Sequence, residues 1–236
     1  MYADDLMLLS ASLSSLQRML NACVTAASHL DIAFKVKKSM VIRVGQAFRH
    51  VCKNVTMYGL DLSFVEKAKY LGVFIVTGKS FRVSLSEPIS KFCKSVKSIY
   101  QSVRGMHMDE VVLLNLLNAY CKPLLCYACE CIDFLKSEYS RLFNAWNCIY
   151  WKLFQVNYQN CIGDICRFSG FLPLSVGIDI RKYAFLCKLP LTGNSVLGKL
   201  YSMFGQVEVV ELAKEYNVTV GCTYNKFKNV LRQRLL

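Results

Sequence analysis

Near residue 85 the hydrophobic pattern changes period, and that change confines the chain to an α+β class. Before it, short apolar runs with strand character occupy residues 40–44, 55–58, 60–64, 67–75 and 81–85, with turns at Gly45, Gly59 and Gly78. One helix precedes them. Leu13, Leu16, Leu20, Cys23, Ala27 and Leu30 keep the three-and-four spacing of a single buried face, and Ser12 is placed to cap it.

After residue 85 the pattern is wholly helical. Ser86, Glu87 and Pro88 form an N-terminal signature, with Ile89, Phe92, Val96, Ile99 and Val103 as the apolar stripe and Gly105 as the stop. Asp109 opens a second helix with Val112, Leu113, Leu116, Leu117 and Tyr120 inward, and Pro123 starts another. Ser137 is expected to cap a helix running to Phe154 that buries Tyr139, Leu142, Phe143, Trp146, Ile149, Tyr150 and Leu153. Beyond residue 174, short helices are expected between Pro190, Gly193 and Gly221.

Charge narrows the function. The chain carries net +13, and residues 35–104 hold 14 Lys and Arg against three acids, a local +11. So localised an excess favours a binding face for a polyanion over general solubility. An anionic membrane surface is the weaker partner, because no helix sets a basic face beside regularly spaced Trp or Phe. The apolar stretch 111–135 is interrupted by Asn115, Asn118, Lys122, Pro123, Glu130 and Asp133, and reads as buried helices. Residues 1–10 lack a basic start and carry two acids, unlike a secretory leader. The expected location is intracellular, nuclear or cytoplasmic. Twelve cysteines fit a reducing compartment; Cys126 and Cys129 form the sole CxxC, Cys161 and Cys166 are poorly spaced for a second zinc pair, and buried free thiols are expected.

Candidate chemistry begins at Asp4 and Asp5, followed at once by Leu6, Met7, Leu8 and Leu9. That order reads as a buried strand leaving a turn, with two carboxylates at its edge. Adjacent acids repel, and a site that keeps both charged supplies a divalent cation; hard oxygen ligands favour Mg²⁺ or Mn²⁺. Asp-Asp is also ordinary solvated turn chemistry. Lys35, Lys37 and Lys38 crowd a loop that feeds a strand, which read plainly is a solvated basic turn. Around Tyr70, Leu71 and Gly72, the glycine permits close backbone approach and the tyrosine offers a flat face, while Lys67 and Lys69 offer charge to phosphates. A core strand with a glycine bulge accounts for the same residues. Lys91, Lys94 and Lys97 project from the stripe of the 86–103 helix, as a duplex-tracking face or a solvated one.

Taken with its flanks, the Tyr2, Ala3, Asp4, Asp5 motif resembles the polymerase hairpin of reverse transcriptases, most closely those of LINE-type (non-LTR) retrotransposons. Phe34, Lys38 and Ser39 match that family's Phe-Asn-x-x-Lys-Ser, with Lys35 in place of the Asn. Lys69, Tyr70, Leu71 and Gly72 match its Lys-Tyr-Leu-Gly primer-grip hairpin. Pro123, Tyr127 and Glu130 match a Pro-x-Leu-x-Tyr-x-x-Glu packing signature, and Ala145, Asn147, Ile149, Lys152 and Phe154 match Ala-x-Asn-x-Ile-x-x-Lys-x-Phe.

The resemblance implies template-directed nucleotidyl transfer with an RNA template, a DNA primer, deoxynucleoside triphosphates and two metal ions roughly 3.5–4 Å apart. Asp4 would be a direct metal ligand and Asp5 a second ligand or electrostatic supporter. Lys38 would face the phosphates of the incoming nucleotide. A family enzyme also needs an aspartate from an earlier strand and fingers that position the nucleotide. None is recognised here, so the chain alone is expected to be inactive. It would comprise a partial palm (1–85, a small antiparallel sheet plus helix), a helical thumb-like region (86–173) and a C-terminal extension (174–236). A non-catalytic, basic nucleic-acid-binding module is the alternative.

Overall fold

The computed structural model describes residues 5–155 and 158–236. The chain is α+β and forms two compact units, one ending at Ser84 and the other spanning Leu85–Leu236. In the first, α1 (Leu13–Ser28) starts where Ser12 accepts the N–H of Ser15 at 3.2 Å. Its Leu13, Leu16, Leu20 and Val24 pack on a core of Val41, Val55, Met57 and Leu62. Gln17 anchors the helix to the strand that follows that core. Its amide nitrogen donates to the carbonyl of Thr56 at 2.7 Å, and its amide oxygen accepts the Thr56 N–H at 2.8 Å. A side chain thus completes the strand edge that a neighbouring backbone would otherwise satisfy. Leu30 lies past the helix end and is 70% exposed, so the expected stripe stops at Ala27.

The strands are short: β1 (Met40–Val41), β2 (Thr56–Met57), β3 (Leu60–Asp61), β4 (Ser63–Phe64), β5 (Lys67–Tyr70), β6 (Val73–Val76) and β7 (Arg82–Val83). β5, β6 and β7 form an antiparallel sheet and β2 pairs antiparallel with β3, but β1 runs parallel to β4. In place of one small antiparallel sheet there are three small sheets, two antiparallel and one a parallel pair. Another expectation fails at residues 6–9. They form no strand, and Leu9 is 77% exposed. Without a ladder these apolar side chains have no sheet surface to cover, and apolar character alone does not bury them.

The second unit is helical, with α2 (Ser86–Ser102), α3 (Glu110–Tyr120), α4 (Lys122–Leu125), α5 (Lys136–Phe154), α6 (Tyr158–Ser169) and α7 (Leu174–Lys188). Asp109 caps α3 by accepting the N–H of Val111 at 2.7 Å. Its buried stripe holds Leu113, Leu114 and Leu117 and continues to Cys121, while Val112 and Tyr120 are exposed. That stripe is turned by about one residue step from the expected one. Cys121 Sγ sits 3.2 Å from Ser95 Oγ of α2, which fixes the rotation. Ser137 does not cap α5: it lies inside the helix, whose N-cap is Leu135, two residues earlier, and the Glu138 carboxylate accepts the Leu135 N–H at 2.8 Å. Trp146 is the centre of this core. It lies 6.1 Å from Phe92, meets Tyr150 edge-on at 6.2 Å and donates its indole N–H to the Tyr150 hydroxyl.

The tail is longer-helixed than expected. α8 (Ser195–Leu200) runs through one π turn (Tyr201–Gly205) into α9 (Gln206–Glu215), and α10 (Tyr224–Leu235) follows. Gly205 permits the π turn, since a Cβ there would come within 2.7 Å of the Tyr201 ring. A second core stacks Tyr183 on Phe227 at 4.1 Å, with Tyr216 edge-on to Phe227. Among the described residues no single helix is long and apolar enough to cross a membrane, although residues 161–169 and 174–192 reach that composition as a pair bent by 66°.

Asp179 supports this second core at a cost that depends on pH. Burial raises its carboxyl above the ordinary 3.8, although the Tyr216 hydroxyl donates to it at 2.6 Å and favours the charged form. Glu215 adds to the rise and Lys182 opposes it. With a raised native value, the group's contribution is complete below 3.8 and is lost as pH climbs through that value. Asp179→Asn keeps an acceptor for Tyr216, so urea melts from pH 3 to 7 should show the variant gaining on wild type as pH rises above 3.8. A difference that stayed flat or ran the other way would contradict this.

Candidate nucleic-acid interface

The β5–β6 hairpin carries two of the cationic candidates, Lys67 and Lys69. Tyr70 pairs with Val73, leaving Leu71 and Gly72 as a two-residue loop with φ of 45° and 83°. Two successive left-handed residues are the signature of a type I′ turn, whose twist matches that of the flanking strands. β2 and β3 close the same way across Tyr58 and Gly59, at φ 53° and 76°.

The fixed register sorts the side chains. Lys67 opposes Val76 and Lys69 opposes Phe74, while Ala68 opposes Ile75; β7 adds Arg82 opposite Val76 and Val83 opposite Ile75. Period-two alternation places Lys67, Lys69, Phe74, Val76 and Arg82 on one face, and Ala68, Tyr70, Val73, Ile75 and Val83 on the other. Ile75 and Val83 are buried, so the second face is the inner one. Tyr70 therefore stands on the opposite face from both lysines, which corrects the reading of all three as one surface.

The cationic face continues into a cleft of about 600 Å³ lined by Arg43, Phe48, Arg49, Phe64, Lys67 and Thr77, among others. Three cations there lie over aromatic rings: Arg43 is 4.9 Å from the Phe64 centroid, Arg49 is 5.1 Å from Phe48, and Lys67 is 4.8 Å from Phe74. Such contacts hold long side chains in place without neutralising them. Arg43 is held further by donating to the His50 carbonyl and to Cys52 Sγ. Its own carbonyl accepts from the Thr77 hydroxyl and from the Gly78 N–H, which ties the segment after β1 to the end of β6. Glu66 is the one acid in the lining. Arg43, Arg49 and Arg82 were not singled out by local pattern. Only the long-range pairings of Val41 with Phe64 and of Val44 with Gly78 bring the two arginines of the 43–49 segment to this sheet.

The remaining candidates lie elsewhere. Lys38 is exposed at the end of a 3₁₀ turn (Val36–Lys38), and its neighbour Ser39 caps that turn. Lys91, Lys94 and Lys97 are exposed along α2, whose opposite side buries Phe92 and Val96. Asp5 is exposed at an isolated bridge position, and Asp4 lies outside the described residues. Among the described residues no three His, Cys, Asp or Glu side chains converge as a metal site. Asp5 alone does not make a Mg²⁺ or Mn²⁺ centre, and no catalytic step is assigned through one. Cys126 and Cys129 are both buried, and burial pushes the Cys129 thiol up to about 12.

No family model matches this sequence, and no curated protein or solved structure matches it.

Leu71 gives the turn a direct test. A leucine in the left-handed region is disfavoured by roughly 1–2 kcal/mol, whereas Asn tolerates it. Leu71→Asn should stabilise the hairpin by about 1 kcal/mol, read as slower amide exchange across β5 and β6. Faster exchange would show that the Leu71 side chain contributes more than its backbone strain removes.

Proposed function

We propose that this chain is part of an RNA-directed DNA polymerase of the LINE type, and that its first unit holds the sugar-phosphate backbone of a primer–template duplex. The observation that carries the reading is the face bearing Lys67, Lys69 and Arg82, continuous with the cleft holding Arg43 and Arg49. Cations fixed over rings are suited to phosphates, because their geometry is set before the ligand arrives. The backbone of the tight turn at Leu71 and Gly72 adds a close-approach surface for a strand end. The motif likenesses around Lys38 and Tyr70 supply the polymerase context. Deoxynucleoside triphosphates and a divalent cation belong to that context through Asp4, Asp5 and Lys38, and no role beyond the resemblance is given to those residues.

A non-catalytic nucleic-acid-binding module is the second reading. It is favoured by one fact: the cationic face is complete without any carboxylate of the Asp4–Asp5 pair.

Two measurements separate these readings. Binding of a duplex with a recessed 3′ end should weaken steeply with salt. Each of Lys67→Ala, Lys69→Ala and Arg82→Ala should lower the log–log slope by about 1. Asp4→Ala should leave that binding unchanged. A preference for the recessed end over a blunt duplex of equal length supports the polymerase reading. Equal affinity for both supports the simple binding module, and slopes unaffected by all three variants would remove the face from either account.

A further inference from the structure

We infer that the helical unit carries a second, separate anion site, built to take one phosphate group between α3, α4 and α7. Its pocket, of about 210 Å³, is lined by Asn118, Lys122, Pro123, Cys126, Gly177 and Arg181. That volume admits a tetrahedral oxyanion with room for water beside it. Two cations converge on it. The Lys122 ammonium lies 5.2 Å from the centre of the buried Trp146 ring, so its stem is packed into the core and its charge is held at the pocket. Arg181 reaches in from α7 and donates one N–H to the Cys126 carbonyl at 3.3 Å, leaving its other donors unspent on that bond.

No carboxylate pairs with either cation among the described residues. Lys122 is half-buried and Arg181 is exposed, and two like charges converging on one small pocket favour an anion there over a cation or a neutral group. Burial already disfavours the charged form of Lys122, and Arg181 opposes it further; the nearby Cys126 and Cys166 thiols are the only groups acting the other way. Asn118 supplies an independent observation. Its side-chain oxygen is buried without a hydrogen-bond partner. That atom has no surface open to the pocket, so a ligand would meet it only after the Asn118 amide turned toward the pocket it lines. Gly177 leaves the room, since a Cβ there would stand 3.9 Å from the Lys122 ammonium, where a ligand oxygen can sit.

The phosphate could come from free inorganic phosphate or from a nucleic-acid strand, and the test distinguishes them. Calorimetric titration of the full chain at constant ionic strength should show saturable binding of inorganic phosphate against a chloride background. Lys122→Met keeps the packing on Trp146 and removes the charge; Arg181→Gln removes the second cation at a more exposed position. Each should weaken phosphate binding about tenfold or more, while Lys199→Met, on α8, should leave it unchanged. A short single strand with a 5′-phosphate, compared with the same strand lacking it, identifies a terminal nucleic-acid phosphate if only the former competes. Failure of both to compete identifies a free anion. Absence of saturable binding, or equal loss in Lys199→Met, would overturn the proposal. Because the site uses none of the Lys67, Lys69 or Arg82 face, it stands or falls apart from the polymerase reading.

Discussion

Side-chain alternation locked by a two-residue turn is the constraint on which the first unit depends. Once Leu71 and Gly72 take consecutive left-handed conformations, Tyr70 must face Val73 and every residue of both strands is assigned a face. Slipping the register by one residue would either turn Ile75 of β6 outward or bring Lys67 and Lys69 of β5 inward, and each is costly. Burial of Ile75 and Val83 and exposure of Lys69 are thus two results of one geometric choice. The aromatic rings on the outer side then hold the cations that alternation has placed there.

The helical unit is organised differently. Its specificity comes from large aromatic groups that fit only one way, with Trp146 touching Phe92, Tyr150 and the ammonium of Lys122. Tyr183, Phe227 and Tyr216 repeat the device in the second core, where hydroxyls reach Cys222 and Asp179. Both cores bury polar ends of aromatic side chains; those of Trp146, Tyr150, Tyr183 and Tyr216 find local partners, while the Tyr100 hydroxyl against the first core has none. That arrangement explains why a chain 54% hydrophobic still carries well-defined polar positions at its centre.

Local pattern revealed much of this. Ser12 and Asp109 are the caps expected of them, the stripe Phe92–Val96 is buried, and the Gly59 turn sits where the pattern puts it, whereas at residues 67–75 the pattern alone reads as one strand with a glycine bulge and only the family resemblance implies a hairpin. What escaped was non-local. Residues 6–9 carry the composition of a buried strand, but only a partner strand could bury them. Arg43 and Arg49 follow a two-residue strand and have no periodic signal of their own; parallel pairing twenty or more residues away brings them to the cleft. Tyr70 was separable from Lys67 and Lys69 by counting in twos, and grouping the motif by sequence proximity hid it. The stripe of α3 was misjudged by one residue because every position from Val111 to Leu114 is apolar and periodicity cannot choose among them.

The central claim is that the cationic outer face of β5–β7 is what touches nucleic acid. Amide hydrogen exchange of the full chain with and without a recessed-end primer–template duplex tests it most directly. Protection should concentrate in residues 43–49, 67–76 and 82. Protection confined to the basic helices, such as Lys226, Lys228, Arg232 and Arg234 on α10, with 67–76 unchanged, would contradict it.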